Sequence, residues 1–225
     1  MNDSTLFIDI GNTQIKWLQG DEYNFSLVED FDSSKLPIAD EVWVSDVTGS
    51  AFLNHLSNVN FAKVQPRYKQ LINGYENFFA LGIDRWLSMM AGTHRYPNQN
   101  ILIIDAGSAI TFDLVGANGH HQGGLIMPGL ATLRRSFTQF ATENSTLGSA
   151  DLAKNTEDAW QSGTAKMYTD TIGARVDALS KKHKDLQILF AGGDGQKILD
   201  ATDISGDYQP FLVLEGLSYY AQSMR

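Results

Sequence analysis

The sequence predicts an α/β protein made of two duplicated domains facing each other across a cleft, and three observations carry that expectation. First, "LFIDIGNTQIKWLQGDEY" near the start has a counterpart in "LIIDAGSAITFDLVGANGH" past the middle. Each is an apolar strand ending in Asp-x-Gly, followed by small hydroxyl or amide residues, a second strand and a turn. Second, strand-like segments come in runs of three before helical patterns appear, and they do so twice. Third, the 225 residues are 43% apolar, enough for one large or two modest domains with proper cores. Repeated units of this kind read as duplicated α/β layers.

The elements follow in order. Apolar runs predict strands over residues 5–9, 14–19, 23–27, 41–45 and 62–64, with a short helical pattern at 52–56. A helix is expected over 84–93, with Trp86, Leu87, Met89 and Met90 on its buried face. No linker rich in Pro, Gly or Ser separates the halves. The best boundary is "RYPNQN", which gives domains 1–98 and 99–225. The second half repeats the pattern with strands over 100–105, 109–115, 121–126 and 186–191, and a further one at 211–214. Helices are expected over 130–142, 156–181, 195–199 and 217–223. Two further glycine-bearing turns stand at "AGGDGQKI" and at "GGLIMPGLATLRRSF", where Pro128-Gly129 introduces a helix.

Composition excludes several function classes. There are no cysteines, which removes disulfides, thiolate-held zinc, iron–sulfur clusters and thiol nucleophiles, and fits a reducing compartment. The net charge of −9 repels nucleic acid and anionic lipid, and the one basic run is "KKHK". An anionic ligand would need local backbone donors, a few cations or metal ions. No window approaches the ~18 apolar residues of a membrane span, and the start has no signal-peptide pattern. The expectation is a soluble, cytoplasmic protein that binds neither nucleic acid nor membrane.

Four segments carry candidate chemistry. In Asp9-Ile10-Gly11-Asn12-Thr13, an aspartate closes a buried strand, where an unpaired carboxylate is expensive. Gly11 permits a tight turn, and the N–H groups around Asn12 and Thr13 can form an anion-binding concavity that Lys16 could reach. An ordinary β-hairpin turn explains the same residues. The echo at Asp105-Ala106-Gly107-Ser108 favours a two-sided site, because two such carboxylates can flank one polyphosphate–metal unit. Neither a P-loop nor a dinucleotide-binding glycine motif is present. Gly192-Gly193 could lie against a flat ring such as adenine or simply link a strand to a helix. In Gly82-Ile83-Asp84-Arg85, Asp84 reads locally as a helix N-cap, or as half of a surface charge pair with Arg85. His120-His121 lies in a turn with no third ligand at metal spacing.

Taken in order, these motifs resemble the type III pantothenate kinases, which belong to the superfamily of actin and the sugar kinases. The match runs from Asp9-x-Gly-Asn-Thr-x-x-Lys16 through Tyr75-Glu-Asn and Gly82-x-Asp-Arg85 to Asp105-x-Gly-Ser-Ala-x-Thr-x-Asp113. It continues with Gly123-Gly-x-Ile-x-Pro-Gly129, Asn155-Thr156 before Gly163, and Gly192-Gly193. The resemblance implies two duplicated actin-like (ribonuclease H-like) domains with mixed sheets flanking an ATP cleft. It implies ATP-dependent phosphorylation of the primary hydroxyl of pantothenate, the entry to coenzyme A.

It also implies roles. Asp9, Ile10, Gly11, Asn12, Thr13, Gln14, Ile15 and Lys16 would hold the ATP phosphates, with Asp9 near Mg²⁺. Ser108, Gly192 and Gly193 would complete the nucleotide site. Tyr75, Gly82, Ile83, Asp84, Arg85 and Thr156 would bind pantothenate, with Asp84 as proton acceptor. Asp105 would hold a monovalent cation, K⁺ or NH₄⁺, and the chain would work as a homodimer. Three positions depart from the family pattern: Phe78 stands for the usual Pro of Tyr-x-Asn-Pro, Ser108 for Thr, and Ala191 for Thr. Two other classes share parts of the pattern. An accessory regulatory protein of the same family would not need Asp9, Asp84 and Asp105, and another kinase of the superfamily would not need Gly82-x-Asp-Arg85.

Overall fold

The computed structural model describes residues 4–49, 51–53, 56–140, 144–148 and 151–225. The chain opens with β1 (Thr5–Ile10), β2 (Gln14–Gln19), β3 (Glu22–Leu27), β4 (Glu41–Asp46) and β5 (Val59–Phe61). A two-stranded ribbon, β6 (Arg67–Tyr68) and β7 (Leu71–Ile72), precedes helix α1 (Ile83–Arg95). Next come β8 (Ile101–Ala106), β9 (Ala109–Val115) and β10 (His121–Pro128), then α2 (Leu130–Ser136) and the long α3 (Thr156–Ser180). The chain closes with β11 (Gln187–Ala191), α4 (Gly195–Asp200), β12 (Asp207–Tyr208) and α5 (Leu212–Ser223). These elements fall into two units. One holds Met1–Asn98, Val115–Gly123 and Phe211–Arg225; the other holds Gln99–Leu114 and Gly124–Pro210.

The first unit is built on a mixed sheet in the order β3-β2-β1-β4-β5. β1 pairs antiparallel with β2 and parallel with β4, so the hairpin and a crossover strand flank the strand that ends in Asp9-Ile10. The period-2 alternation sends Leu6, Ile8, Ile10, Ile15, Val42 and Val44 to one face, where they form a core with Leu53. The other face presents buried Phe7, Leu18 and Trp43 to helices α1 and α5, with Trp43 edge-on to Tyr220.

The second unit repeats this design: its sheet runs β10-β9-β8-β11-β12, the same order strand for strand, and β11 is parallel to β8 as β4 is to β1. Its core joins Leu102, Ile104, Ile110, Phe112 and Phe190 to Tyr168, Ile172 and Val176 from one stripe of α3.

The structure corrects several expected elements. Residues 211–214 begin helix α5 rather than forming a strand: a short continuous apolar run fits either, and burial against both α1 and the sheet makes the helix apolar nearly all round. The strand expected at 62–64 lies three residues earlier, in β5, where Val42, Trp43 and Val44 of β4 supply its partners. The helix expected over 130–142 ends at Ser136, and residues 141 and 142 lie outside the described residues. In the pattern at 52–56, Phe52 and Leu53 form a turn, and residues 54 and 55 lie outside the described residues.

Candidate functional site

The Asp9 turn is a hairpin closed by one backbone bond, from Gly11 N–H to the Gln14 carbonyl at 3.0 Å. Asn12 and Thr13 form its exposed tip, and among the described residues no acceptor meets either N–H. Register places Asp9 directly opposite Lys16 on β2 and Ser45 on β4. A carboxylate and an ammonium therefore project from the same sheet face, beside a tip whose two backbone donors the hairpin bond does not use. Ile10 and Ile15 point the other way, into the core, so only their backbone is available to a ligand. The turn is thus a hairpin whose own hydrogen bond leaves the N–H groups of Asn12 and Thr13 unused.

In the same unit, helix α1 starts at Ile83 with Gly82 as its N-cap and no side-chain cap bond. This corrects the local reading of Asp84, which sits inside the first turn and accepts the Arg85 N–H at 2.8 Å through Oδ1. Arg85 is no surface partner either: it is 6% exposed. Its Nη1 donates to the Tyr75 hydroxyl at 2.8 Å, and its guanidinium carbon lies 5.5 Å from the Tyr75 ring centroid. Tyr75 is in turn stacked on the buried ring of His121, 5.7 Å away and tilted by 14°. Phe78, the departure from Pro, opens a single 3-10 turn, Phe78–Ala80, capped by Asn77. The first helical position needs no N–H donor, so Pro and Phe both satisfy it.

In the second unit, Gly107 N–H donates to the Ala109 carbonyl at 2.8 Å, closing a turn one residue tighter than its counterpart. The Ser108 carbonyl accepts both the Gly129 N–H (3.0 Å) and the Thr132 hydroxyl (2.7 Å), so the start of α2 is fastened to this turn. Asp105 lies opposite Ala191 on β11, just before the glycine pair. Gly192 has φ +80, and a Cβ there would come within 2.2 Å of the Ala106 carbonyl and 2.5 Å of Asp105 Oδ1. Only glycine lets the β11–α4 turn lie against the Asp105 carboxylate. Burial, with Asp105 and then Asp194 adding, pushes the nearby Tyr208 hydroxyl's pKa up; Tyr208 donates to the Gly192 carbonyl at 3.0 Å. Thr156 is the exposed first residue of α3, and Asn155 caps that helix by accepting the Asp158 N–H at 2.9 Å.

The structure therefore gathers Tyr75 with Arg85, and Asp105 with Gly192, while Thr156 stands at a helix start. His121 is the contact that spacing arguments missed, because nothing in a His-His turn announces a tyrosine partner far away in sequence. Among the described residues no group of three or more His, Asp or Glu side chains could hold a metal unaided. Asp9 and Asp105 each close a strand in their own unit, and each is a hard oxygen donor of the kind that takes Mg²⁺ alongside phosphates and water.

Comparison with known proteins adds the family. A model of the type III pantothenate kinases matches residues 18–178, a stretch that includes Tyr75, Gly82 to Arg85, Asp105 and Thr156. A curated type III pantothenate kinase from Pseudoalteromonas translucida is 33% identical over 96% of this chain and 95% of its own. Among solved structures, a Campylobacter jejuni protein described as a Baf-family transcriptional activator superposes with a TM-score of 0.68 at 22% identity, covering 97% of this chain and 98% of its own. A Sinorhizobium meliloti protein described as a 2-dehydro-3-deoxygalactonokinase gives 0.60 at 11% identity, covering 98% and 96%. Both likenesses concern the fold, which is that of the actin-like kinases.

Proposed function

The chain belongs to the type III pantothenate kinase family, and from that premise we propose how its residues divide the work. The enzyme phosphorylates pantothenate with ATP, a step of coenzyme A biosynthesis. The observation that carries the assignment of residues is the Asp84–Arg85–Tyr75 group: a carboxylate held by a backbone N–H beside a buried guanidinium that a tyrosine hydroxyl fixes. Phosphoryl transfer is mostly positioning and charge stabilisation, so a site needs few reacting side chains. Asp84 accepts the proton of the primary hydroxyl late in transfer, an effect worth roughly 10²–10⁴-fold in rate. Arg85 orients the substrate, its forked donors suiting a carboxylate or a phosphate. Tyr75, Gly82, Ile83 and Thr156 complete the pantothenate contacts.

On the nucleotide side, the N–H groups at Asn12 and Thr13, with Lys16, receive the phosphates, the Ser108 hydroxyl contacts ATP from the second loop, and Gly192 and Gly193 bound the adenosine end. Mg²⁺, when bound with ATP, neutralises charge on the phosphates. In this reading residues 1–98 carry the first phosphate loop and all of the pantothenate contacts but Thr156, and 99–225 the second loop and the adenosine site. Asp105 is the ligand of a monovalent cation, K⁺ or NH₄⁺; its carboxylate against the Gly192 backbone supports that role. A homodimer is supported by the half-exposed aromatic group of Phe137, Phe140 and Trp160 beside α3. Among the described residues no helix is long and apolar enough to cross a membrane.

The test is ATP consumption with pantothenate against a panel of sugars and short acids, with and without K⁺, for the wild type and Asp84→Asn. We expect turnover on pantothenate alone and a loss of at least ~10²-fold in the variant. A folded Asp84→Asn enzyme that keeps substantial turnover would remove Asp84 from its role.

A further inference from the structure

The Tyr75–His121 stack has no part in the proposed chemistry, yet the chain goes to some length to build it. His121 opens β10, is 3% exposed, and reaches Tyr75 from a distant part of the sequence. Backbone contacts fix it there. Ile72 N–H donates to the Gly119 carbonyl at 2.9 Å, Ile72 bridges His120, and a Cβ at Gly74 would lie 1.8 Å from the His121 carbonyl. The segment carrying Tyr75 and the segment carrying His121 thus touch backbone to backbone, which brings the two rings together. Tyr75 itself is held at its other end, where its hydroxyl accepts from Arg85 Nη1 and its ring meets the guanidinium.

Few rotamers of Tyr75 satisfy both a stacked imidazole and that hydrogen bond. We propose that His121 is a positioning residue for the pantothenate site: its imidazole fixes the Tyr75 ring, and through that ring sets the plane of the Arg85 guanidinium. This rests on the reading of Tyr75 and Arg85 as substrate groups. A stacked ring pair of this kind selects orientation as well as adding contact, since offset stacking is favoured only over a narrow range of angles. The role is aromatic and geometric, and His121 itself exchanges no proton with substrate.

The experiment compares His121→Leu, which fills the volume without an aromatic face, with His121→Phe, which restores the face; His121→Asn is the ring-free alternative should Leu not fold. KM for pantothenate, KM for ATP, kcat and Tm are measured for each, with Tyr75→Ala alongside. The ring-free variant is expected to raise KM for pantothenate about tenfold with KM for ATP unchanged, the upper end of what a stacked pair is worth. His121→Phe is expected to stay within about twofold of the wild type, because the aromatic face that orients Tyr75 remains. The inference fails if the ring-free enzyme keeps its pantothenate KM, if both KM values rise together, or if Phe is no better than Leu. A Tyr75→Ala enzyme with unchanged pantothenate KM removes both the reading of Tyr75 and this inference. A large effect at Tyr75 with none at His121 removes this inference alone.

Discussion

Arg134 on α2 is wholly buried, and the stability it confers is open to direct measurement. Its guanidinium donates to Thr164 Oγ1 (2.8 Å), Asn144 O and Oδ1 (3.2 and 2.7 Å), Thr146 O (2.8 Å) and Gln161 O (2.7 Å). Every one of those partners is neutral, and burial pushes the guanidinium's pKa down. The arginine therefore joins the first turns of α3 to the segment that precedes it, using the fork geometry that only Arg has. Arg134→Met keeps most of the apolar stem and orphans two main-chain carbonyls, those of Asn144 and Thr146, while the Gln161 carbonyl keeps the Thr164 hydroxyl as a donor. Each buried acceptor left unpaired costs about 1–3 kcal/mol. Recovered desolvation of the cation and local relaxation offset part of that, leaving a loss of about 3 kcal/mol. In a chain of this size that is a fall in Tm of about 6–12 °C. Urea unfolding followed by circular dichroism and Trp fluorescence reads it directly, with Arg134→Lys as the control that keeps charge and loses the fork. A loss under about 1 kcal/mol for Met, or a Lys variant as stable as the wild type, would refute the account of Arg134 as a geometric clamp.

Three further outcomes are expected. Gly192→Ala puts a side chain at φ +80 against Asp105 and Ala106, and should cost about 2 kcal/mol or more while raising KM for ATP above that for pantothenate; paired denaturation and kinetics check it. Phe78→Pro should stay within about 1 kcal/mol of the wild type by thermal melting, because Asn77 is already extended and position 78 is the first of its turn; stiffening of the unfolded chain offsets the lost Phe78–Phe79 contact. Tyr168 is buried, and burial first, then Asp194, raises its pKa from 10.0. The native state keeps this phenol protonated where the unfolded chain releases the proton, so the contribution is intact below pH ~10 and falls as pH climbs above it. The urea midpoint should drop between pH 9 and 11, and drop less in Tyr168→Phe.

How much of this was legible follows from the range of each interaction. The duplicated sheet was, because strand period and Asp-x-Gly turns are written in consecutive residues: β2 and β9 have the expected ends, 14–19 and 109–115. The role of Gly192 was half legible. A glycine pair announces an unusual turn, but that its backbone must press on Asp105 depends on β8 and β11 being neighbours. The burial of Arg85 was not legible locally, since "DR" at a helix start reads equally as a cap or a surface charge pair, and its hydrogen bond reaches back to Tyr75, outside the helix. His121 and Arg134 were out of reach, because both act on partners set by tertiary contact, and no spacing rule links 75 to 121 or 134 to 161.

The Asp9 turn shows why local alternatives should sometimes both stand. Hairpin and phosphate cradle compete as explanations of one string, yet they satisfy different groups. The hairpin bond uses the Gly11 N–H and the Gln14 carbonyl, and leaves the Asn12 and Thr13 donors unused. A tight turn with donors it does not consume is what an anion site requires. The same division recurs at Gly107 and Ser108, where the turn's own bond is closed by Gly107 and a leftover carbonyl anchors α2. The two copies thus share a strand–turn–strand plan with turns of different length, and their spare groups differ: two unused donors in the first, a fastened carbonyl in the second.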